Sequence, residues 1–336
     1  GHNGAAVVDE LSEPQNRLIS SMEDSCMLLA DEVIAPTRRA WNEVAQRLQL
    51  DGKKVHFIPN LLDKSVDGAS VNRVRKISGE KYILFIGRLD RHKGADRTLQ
   101  LFIDYQARYQ TNSELIMLGR DCFSKEYGKT FLEEWRDRIP PQIRDKIVFK
   151  GQVAPEVVAG YLENAEVCVF PSRWEVFGIV CLEAMSYGVP SIVAGGTGLA
   201  EVLGKELDEL VFDFENDSER LIEKLHELLC AADTRNELSP KVKRRAQQVI
   251  EEAKTGYRNL VEEGSLKEEI RGPSNQVVEK MLHALRATGE KSYHLGHDFK
   301  TLAQHFQMTA DELKEVIQKQ PPGKASLWTK LRNIIK

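Results

Sequence analysis

Cysteine is scarce in this chain of 336 residues: Cys26, Cys122, Cys168, Cys181 and Cys230 are an odd set of five with no Cys-x-x-Cys pair. That excludes a disulfide framework and a paired-cysteine zinc site, and it fits small side chains kept reduced in apolar stretches such as Val167-Cys168-Val169-Phe170. Long apolar runs are missing as well, since none approaches the roughly 20 residues that a membrane span needs. No basic segment followed by an apolar one marks a secretory leader, so the expected location is the cytoplasm. Neither sign of charge dominates. With a net charge of −4 there is no broad basic field to recruit nucleic acid. Internal repeats and low-complexity tracts are also lacking.

What is present is a regular alternation. From Lys81 to about Ala231, short apolar runs at Tyr82–Ile86, Leu115–Leu118, Ile147–Phe149, Val167–Phe170, Ser191–Ala194 and Leu210–Phe214 predict strands. They are continuous rather than alternating, as in strands covered by helices on both faces. Helices are predicted between them over Asp96–Gln110, Ser124–Arg138, Pro155–Asn164, Gly178–Tyr187 and Asp217–Leu229. This pattern predicts an α/β fold with a doubly wound parallel sheet, whose ligands bind beyond the carboxyl ends of the strands.

The first sixty residues predict a helix at Gln15–Leu29, a strand at Glu32–Ala35, a helix at Arg38–Leu48 and a strand at Val55–Ile58. That is too little for a complete domain of roughly 100–150 residues. The expected organisation is a partial N-terminal domain over 1–62, a polar linker over 63–80, the doubly wound domain over 81–262 and a helical C-terminal extension over 263–336.

Two segments carry the chemistry. Phe170–Pro190 leaves a strand, loops, and enters a helix near Gly178. A helix N-terminus presents unpaired N–H groups and about half a positive charge, which suits a diphosphate. Glu175 precedes that helix and Glu183 lies inside it, so both carboxylates can face one crevice and accept from vicinal hydroxyls. The other segment, Gly87-Arg88-Leu89-Asp90-Arg91-His92-Lys93-Gly94, follows the first strand of the sheet. Its Arg88 and Lys93 can clamp two phosphates.

With these residues the chain resembles the retaining glycosyltransferases of family 4, also called group 1, which have the GT-B fold. The resemblance rests on Gly87-Arg88 with Lys93-Gly94, and on Glu175 and Glu183 at Glu-x7-Glu spacing around Phe177-Gly178. Lys150-Gly151-Gln152-Val153, Gly195-Gly196-Thr197-Gly198 leading to Glu201, Ala30–Thr37 and Ile58-Pro59-Asn60 extend it over about residues 20 to 230. It implies a sugar moved with retention from a nucleoside diphosphate sugar to a glycan, lipid or small-molecule hydroxyl. Arg88 and Lys93 would neutralise the leaving diphosphate, and Glu175 would bind sugar hydroxyls. Gly87 and the N–H groups of Phe177, Gly178, Ile179 and Val180 would bind donor sugar and phosphates, Glu183 the ribose, and Gly151, Gln152 and Val153 the base. No cofactor and no metal are implied, and the sequence contains no Asp-x-Asp.

Several features depart from the family pattern. Its glycine-rich first loop and first-domain histidine have no counterpart, and His56, next to a late strand, is expected to be structural. Asn60-Leu61-Leu62-Asp63 stands where Asn-Gly-Val-Asp is usual. The expectation is therefore a fragment lacking most of the acceptor domain. The rival readings are a non-catalytic nucleotide-sugar-binding module and a donor-binding subunit completed by another chain. A dinucleotide dehydrogenase is disfavoured, because Gly196-Thr197-Gly198 lacks a third glycine and falls late in the sheet.

In the tail, His294, His297 and His305 with Asp298 match no metal-ligand spacing. Asp298–Lys319 has a helix-turn-helix rhythm, with Thr309 as an N-cap, but Asp311, Glu312 and Glu315 would face phosphates, which excludes DNA reading. Ala325–Lys336 puts Leu327, Trp328, Leu331, Ile334 and Ile335 on one stripe ringed by lysine and arginine. That stripe suits docking on another protein or peripheral contact with an anionic membrane.

Overall fold

A computed structural model of the chain describes residues 32–50, 52–62 and 82–262, together with 24, 27, 28 and 30. The expected linker, the tail from residue 263 and most of the helix at Gln15–Leu29 lie outside the described residues.

The described chain opens with β1 (Glu32–Ala35), α1 (Arg38–Leu48) and β2 (Lys54–Phe57), and the two strands pair in parallel. His56 Nε2 lies 2.6 Å from Glu32 Oε2 across that pair. Lys54 first, and then His56, hold the Glu32 carboxyl below its usual range. His56 is thus occupied within the sheet.

The large sheet begins at β3 (Tyr82–Ile86), followed by α2 (Ala95–Tyr109) and β4 (Glu114–Leu118). A small antiparallel hairpin, β5 (Phe123–Ser124) and β6 (Lys129–Thr130), leads to the short α3 (Phe131–Trp135). Then come β7 (Ile147–Gly151), α4 (Pro155–Asn164), β8 (Val167–Phe170), α5 (Ile179–Tyr187), β9 (Ser191–Ala194), α6 (Gly198–Leu203), β10 (Val211–Phe212), α7 (Ser218–Cys230) and α8 (Ala232–Glu262). The six strands pair in the order β10-β9-β8-β3-β4-β7, all parallel.

Burial explains why these runs are strands. Leu84, Leu115, Ile116, Met117, Val167, Val169, Ile192 and Val193 are all completely buried, so both sheet faces are covered. On α2, Ala95, Leu99, Phe102 and Tyr105 recur at helical spacing and are buried. On α7, Leu221, Ile222, Leu225, Leu228 and Leu229 form the inward face. These two helices pack together, while α5 packs against α8. The steps from β3 to β4 and from β8 to β9 run in opposite directions along the sheet, so right-handed crossovers put α2 and α5 on opposite faces.

One expected helix is corrected. Ser124–Arg138 is not continuous: the chain turns at Gly128, and Thr130 starts a new helix. The Thr130 hydroxyl accepts from Glu133 N at 3.3 Å, while Glu133 Oε2 accepts from Thr130 N at 2.8 Å. This reciprocal capping box outweighs helical periodicity. Phe131 and Trp135, one turn apart, are the buried residues of the helix that remains. The expected strand at Leu210–Phe214 shortens to Val211–Phe212, and α6 is an element that apolar periodicity did not predict.

After β3 the chain moves to one side of the sheet, and after β8 to the other. The carboxyl edge where these two strands diverge is the usual ligand position in open α/β sheets. The loops that follow them touch. Gly94 has φ +75°, and a Cβ there would lie 2.2 Å from the Pro171 carbonyl oxygen. Gly94→Ala should therefore lower stability by about 1–3 kcal/mol. A urea titration checks this, with a lower midpoint and an unchanged slope expected.

Candidate functional site

The loop after β3 is built around Asp90. One carboxylate oxygen accepts from Arg88 Nε at 2.7 Å, and the other accepts from Lys93 N at 2.7 Å. The Asp90 carbonyl accepts from Ala95 N at 3.1 Å and so joins the loop to the start of α2. Arg88 and Lys93 are about a third exposed, at 33% and 31%, with their cations at the sheet's carboxyl edge. Asp90 is a site residue that the loop's cations overshadow in the sequence, where its signal is a carboxylate two residues after the arginine.

The loop after β8 is laced to this one. Arg173 N donates to the His92 carbonyl at 2.9 Å. The Arg173 guanidinium pairs with both Asp96 oxygens at 2.8 Å. Arg97 donates to the Pro171 carbonyl at 3.0 Å. Two residues beyond Arg173, Glu175 Oε2 accepts from Lys93 Nζ at 2.5 Å. This contact spans 82 positions in sequence and crosses the point where β3 and β8 diverge. His92 lies against Trp174 with ring centroids 5.9 Å apart, and burial pushes its imidazole below the ordinary value.

The N-cap of α5, Gly178, has φ +81° and contributes no side-chain cap, and a Cβ there would lie 2.1 Å from Leu199 on α6. Ile179 is exposed, Val180 is half-buried, and the Phe177 side chain is buried, which leaves its backbone as the part available to a ligand. One helical turn beyond Ile179, Glu183 is partly buried and makes no hydrogen bond or ion pair with the described residues. Burial alone raises its carboxyl above the usual range. A partly buried carboxylate without a partner can accept hydrogen bonds from hydroxyl groups.

The remaining expected residues sit farther along the edge. Gly151, Gln152 and Val153 close β7, with β4 between them and β3. Gly151 accepts from Gly119 N at 2.8 Å, Gln152 is exposed, and Val153 packs against the core. The fold therefore groups Gly87, Arg88, Lys93 and Glu175 at the divergence, puts Phe177–Glu183 beside them, and places Gly151–Val153 two strands away. Among the described residues, no group of three or more His, Cys, Asp or Glu is arranged to hold a metal ion. No helix among them is long and apolar enough to cross a membrane.

The doubly wound parallel sheet is of the kind found in GT-B glycosyltransferases. The family model of glycosyl transferases group 1 matches residues 69–245, and the chain belongs to that family. It is 33% identical over 207 residues to an uncharacterised glycosyltransferase of Methanocaldococcus jannaschii, covering 59% of this chain and 51% of that one. It is 30% identical over 176 residues to a mannosylfructose-phosphate synthase of Agrobacterium fabrum, covering 50% of this chain and 38% of the synthase. The chain thus spans about half, or less, of the length of these relatives. Among solved structures, sucrose-phosphate synthase from Thermosynechococcus elongatus superposes with a TM-score of 0.57 at 22% identity, covering 78% of this chain and 67% of that one. Anabaena HepE in complex with UDP and glucose superposes with a TM-score of 0.58 at 18% identity, covering 75% and 68%. Both likenesses are of fold.

The raised Glu183 carboxyl makes stability depend on pH. Folded chain holds this proton longer than unfolded chain, so its contribution to stability falls as pH climbs from the ordinary 4.5 through the raised value. Glu183→Gln cannot ionise. It should gain stability relative to wild type across that window, and the difference should level off above it. Thermal melts from about pH 4 to about pH 8 check this; a constant difference would mean a solvated carboxyl.

Proposed function

We propose that this chain binds a nucleoside diphosphate sugar across the carboxyl ends of β3 and β8 and serves the transfer of that sugar, with retention, to a hydroxyl acceptor. The observation that carries this reading is the Lys93–Glu175 contact at the switch point, flanked by Arg88 and by the unpaired Glu183. A cation for phosphate and a carboxylate for sugar hydroxyls are thereby held within one bond of each other.

In this reading the diphosphate lies between the loop cations and the N-terminus of α5, where helix dipole and fixed charge both favour an anion. Glu175 accepts from sugar hydroxyls, and Glu183 from the ribose. Gly151–Val153, two strands away, reach the base. The bond between the anomeric carbon and the diphosphate oxygen breaks with its electron pair going to phosphate. The acceptor oxygen bonds to the anomeric carbon on the same face, and the acceptor's proton passes to the departing diphosphate. Arg88 and Lys93 stabilise the charge that appears there, as preorganised donors in a partly dry site. These fixed cations do the work of a divalent ion, so no metal and no cofactor are needed. The acceptor is a glycan, lipid or small-molecule hydroxyl.

Arg88→Ala combined with Lys93→Ala should weaken nucleoside diphosphate and pyrophosphate alike. Charge-assisted hydrogen bonds contribute about 1.5–3 kcal/mol each, roughly ten- to hundredfold in affinity per cation removed. Glu183→Ala should weaken the nucleoside diphosphate and spare pyrophosphate. Calorimetry with UDP, GDP, ADP and pyrophosphate checks both, and full affinity in the double variant would sink the phosphate clamp. Binding should also survive excess chelator; a strict need for magnesium or manganese would point to other chemistry.

A further inference from the structure

Trp174, Glu175 and Val176 have no regular secondary structure, yet each is held by a group from another element. The Trp174 indole N–H donates to Glu43 Oε2 on α1 at 3.2 Å. The Glu175 carbonyl accepts from Gly198 N at 2.8 Å. The Val176 carbonyl accepts from the Thr37 hydroxyl at 2.7 Å, a contact between residues 139 positions apart. Thr37 is buried and also caps α1, its hydroxyl accepting from Ala40 N at 3.3 Å.

The partner in this arrangement is α6. Glu201 reaches back to α1, its two oxygens accepting from Arg38 N at 2.9 Å and Arg39 N at 2.6 Å. The first-turn N–H groups of α1 are thereby satisfied, so this terminus is a joint and not an anion site. At the far end of α6, the carbonyls of Glu201 and Val202 accept from Arg245 on α8 at 3.2 and 3.0 Å. Gly198 seals the contact: a Cβ there would lie 2.0 Å from the Val176 carbonyl oxygen.

We propose that Thr37 and Glu201 are positioning residues for Glu175, clamping α1 and α6 on either side of its loop so that its carboxylate is aimed at Lys93 and at a bound sugar. The inference rests on the reading of Glu175 as the sugar-binding carboxylate. That reading gives Thr37 and Glu201 no contact with the donor. Thr37 acts through the Val176 carbonyl that follows Glu175, and Glu201 through the start of α1 that Thr37 caps, because Glu175 has no helix or strand of its own to fix its direction.

The test compares Thr37→Val, which keeps shape and loses the hydroxyl, with Thr37→Ser, which keeps the hydroxyl. Hydrogen exchange needs no ligand. Thr37→Val should speed exchange over 174–178 and at Gly198 about tenfold, with β3 and β4 unchanged. Thr37→Ser should match wild type. Binding is then measured with whichever of UDP-glucose, GDP-mannose and ADP-glucose the wild-type chain takes, against the matching sugar-free diphosphate. Thr37→Val should weaken the sugar-bearing ligand about fivefold more than the sugar-free one. Glu201→Gln should shift both readouts the same way, and it carries the comparison if Thr37→Val fails to fold. Unchanged exchange in Thr37→Val and Glu201→Gln would overturn the clamp. Equal weakening of both ligands would overturn its link to Glu175. A wild-type chain that binds none of the three sugars counts against the donor reading instead, and exchange still decides the clamp.

Discussion

Everything at the candidate site depends on two backbones meeting where the sheet changes direction. Gly94, at the end of one loop, lies against the Pro171 carbonyl at the start of the other, with no room for a side chain. The Arg173–Asp96 pair and the bond from Arg97 to the Pro171 carbonyl hold that approach from its flank. Because the loops are fixed this closely, Lys93 and Glu175 come within hydrogen-bond reach although their strands lead to opposite sides of the sheet.

The electrostatics follow from that geometry. Lys93 and Glu175 compensate each other, and Arg88 is compensated by Asp90, so these groups carry little uncompensated charge. Glu183 is the exception: burial raises its carboxyl and no partner lowers it. The carboxyl edge is thus held in shape by internal ion pairs, with one partly buried acid left without a partner among the described residues.

Helix α6 shows how a short element can matter more than its length suggests. Six residues carry a side-chain cap at Thr197, a backbone contact through Gly198, and a carboxylate at Glu201 that satisfies the start of α1. The early strands β1 and β2 and helix α1 belong to the same compact unit as the large sheet, which spans Asp31–Glu268. Ile58, just after β2, packs so closely on α8 that a Cβ at Gly256 would lie 2.7 Å from its side chain.

Much of the fold was legible in the residues. Tyr82–Ile86, Val167–Phe170 and Ser191–Ala194 have the expected bounds, because continuous apolar runs admit few other conformations when both faces are covered. Pro155–Asn164 also starts as expected, its proline preset for the first helical turn. The region Ser124–Arg138 misled, because a capping box and a glycine turn are local signals that periodicity averages away. Helix α6 was missed for a related reason: it is too short to show a period. The alternation of strands and helices by itself determined a parallel, doubly wound sheet, and the ordered motifs determined which residues would lie at its carboxyl edge. Only the tertiary structure decided that β8 returns to lie beside β3, that Lys93 meets Glu175, that Glu183 is left unpaired, and that Thr37 and Glu201 hold the loop between. Those facts depend on contacts between residues some 80 to 160 positions apart, and no local pattern encodes them, because the free energy that selects them comes from burying both faces of one sheet at once.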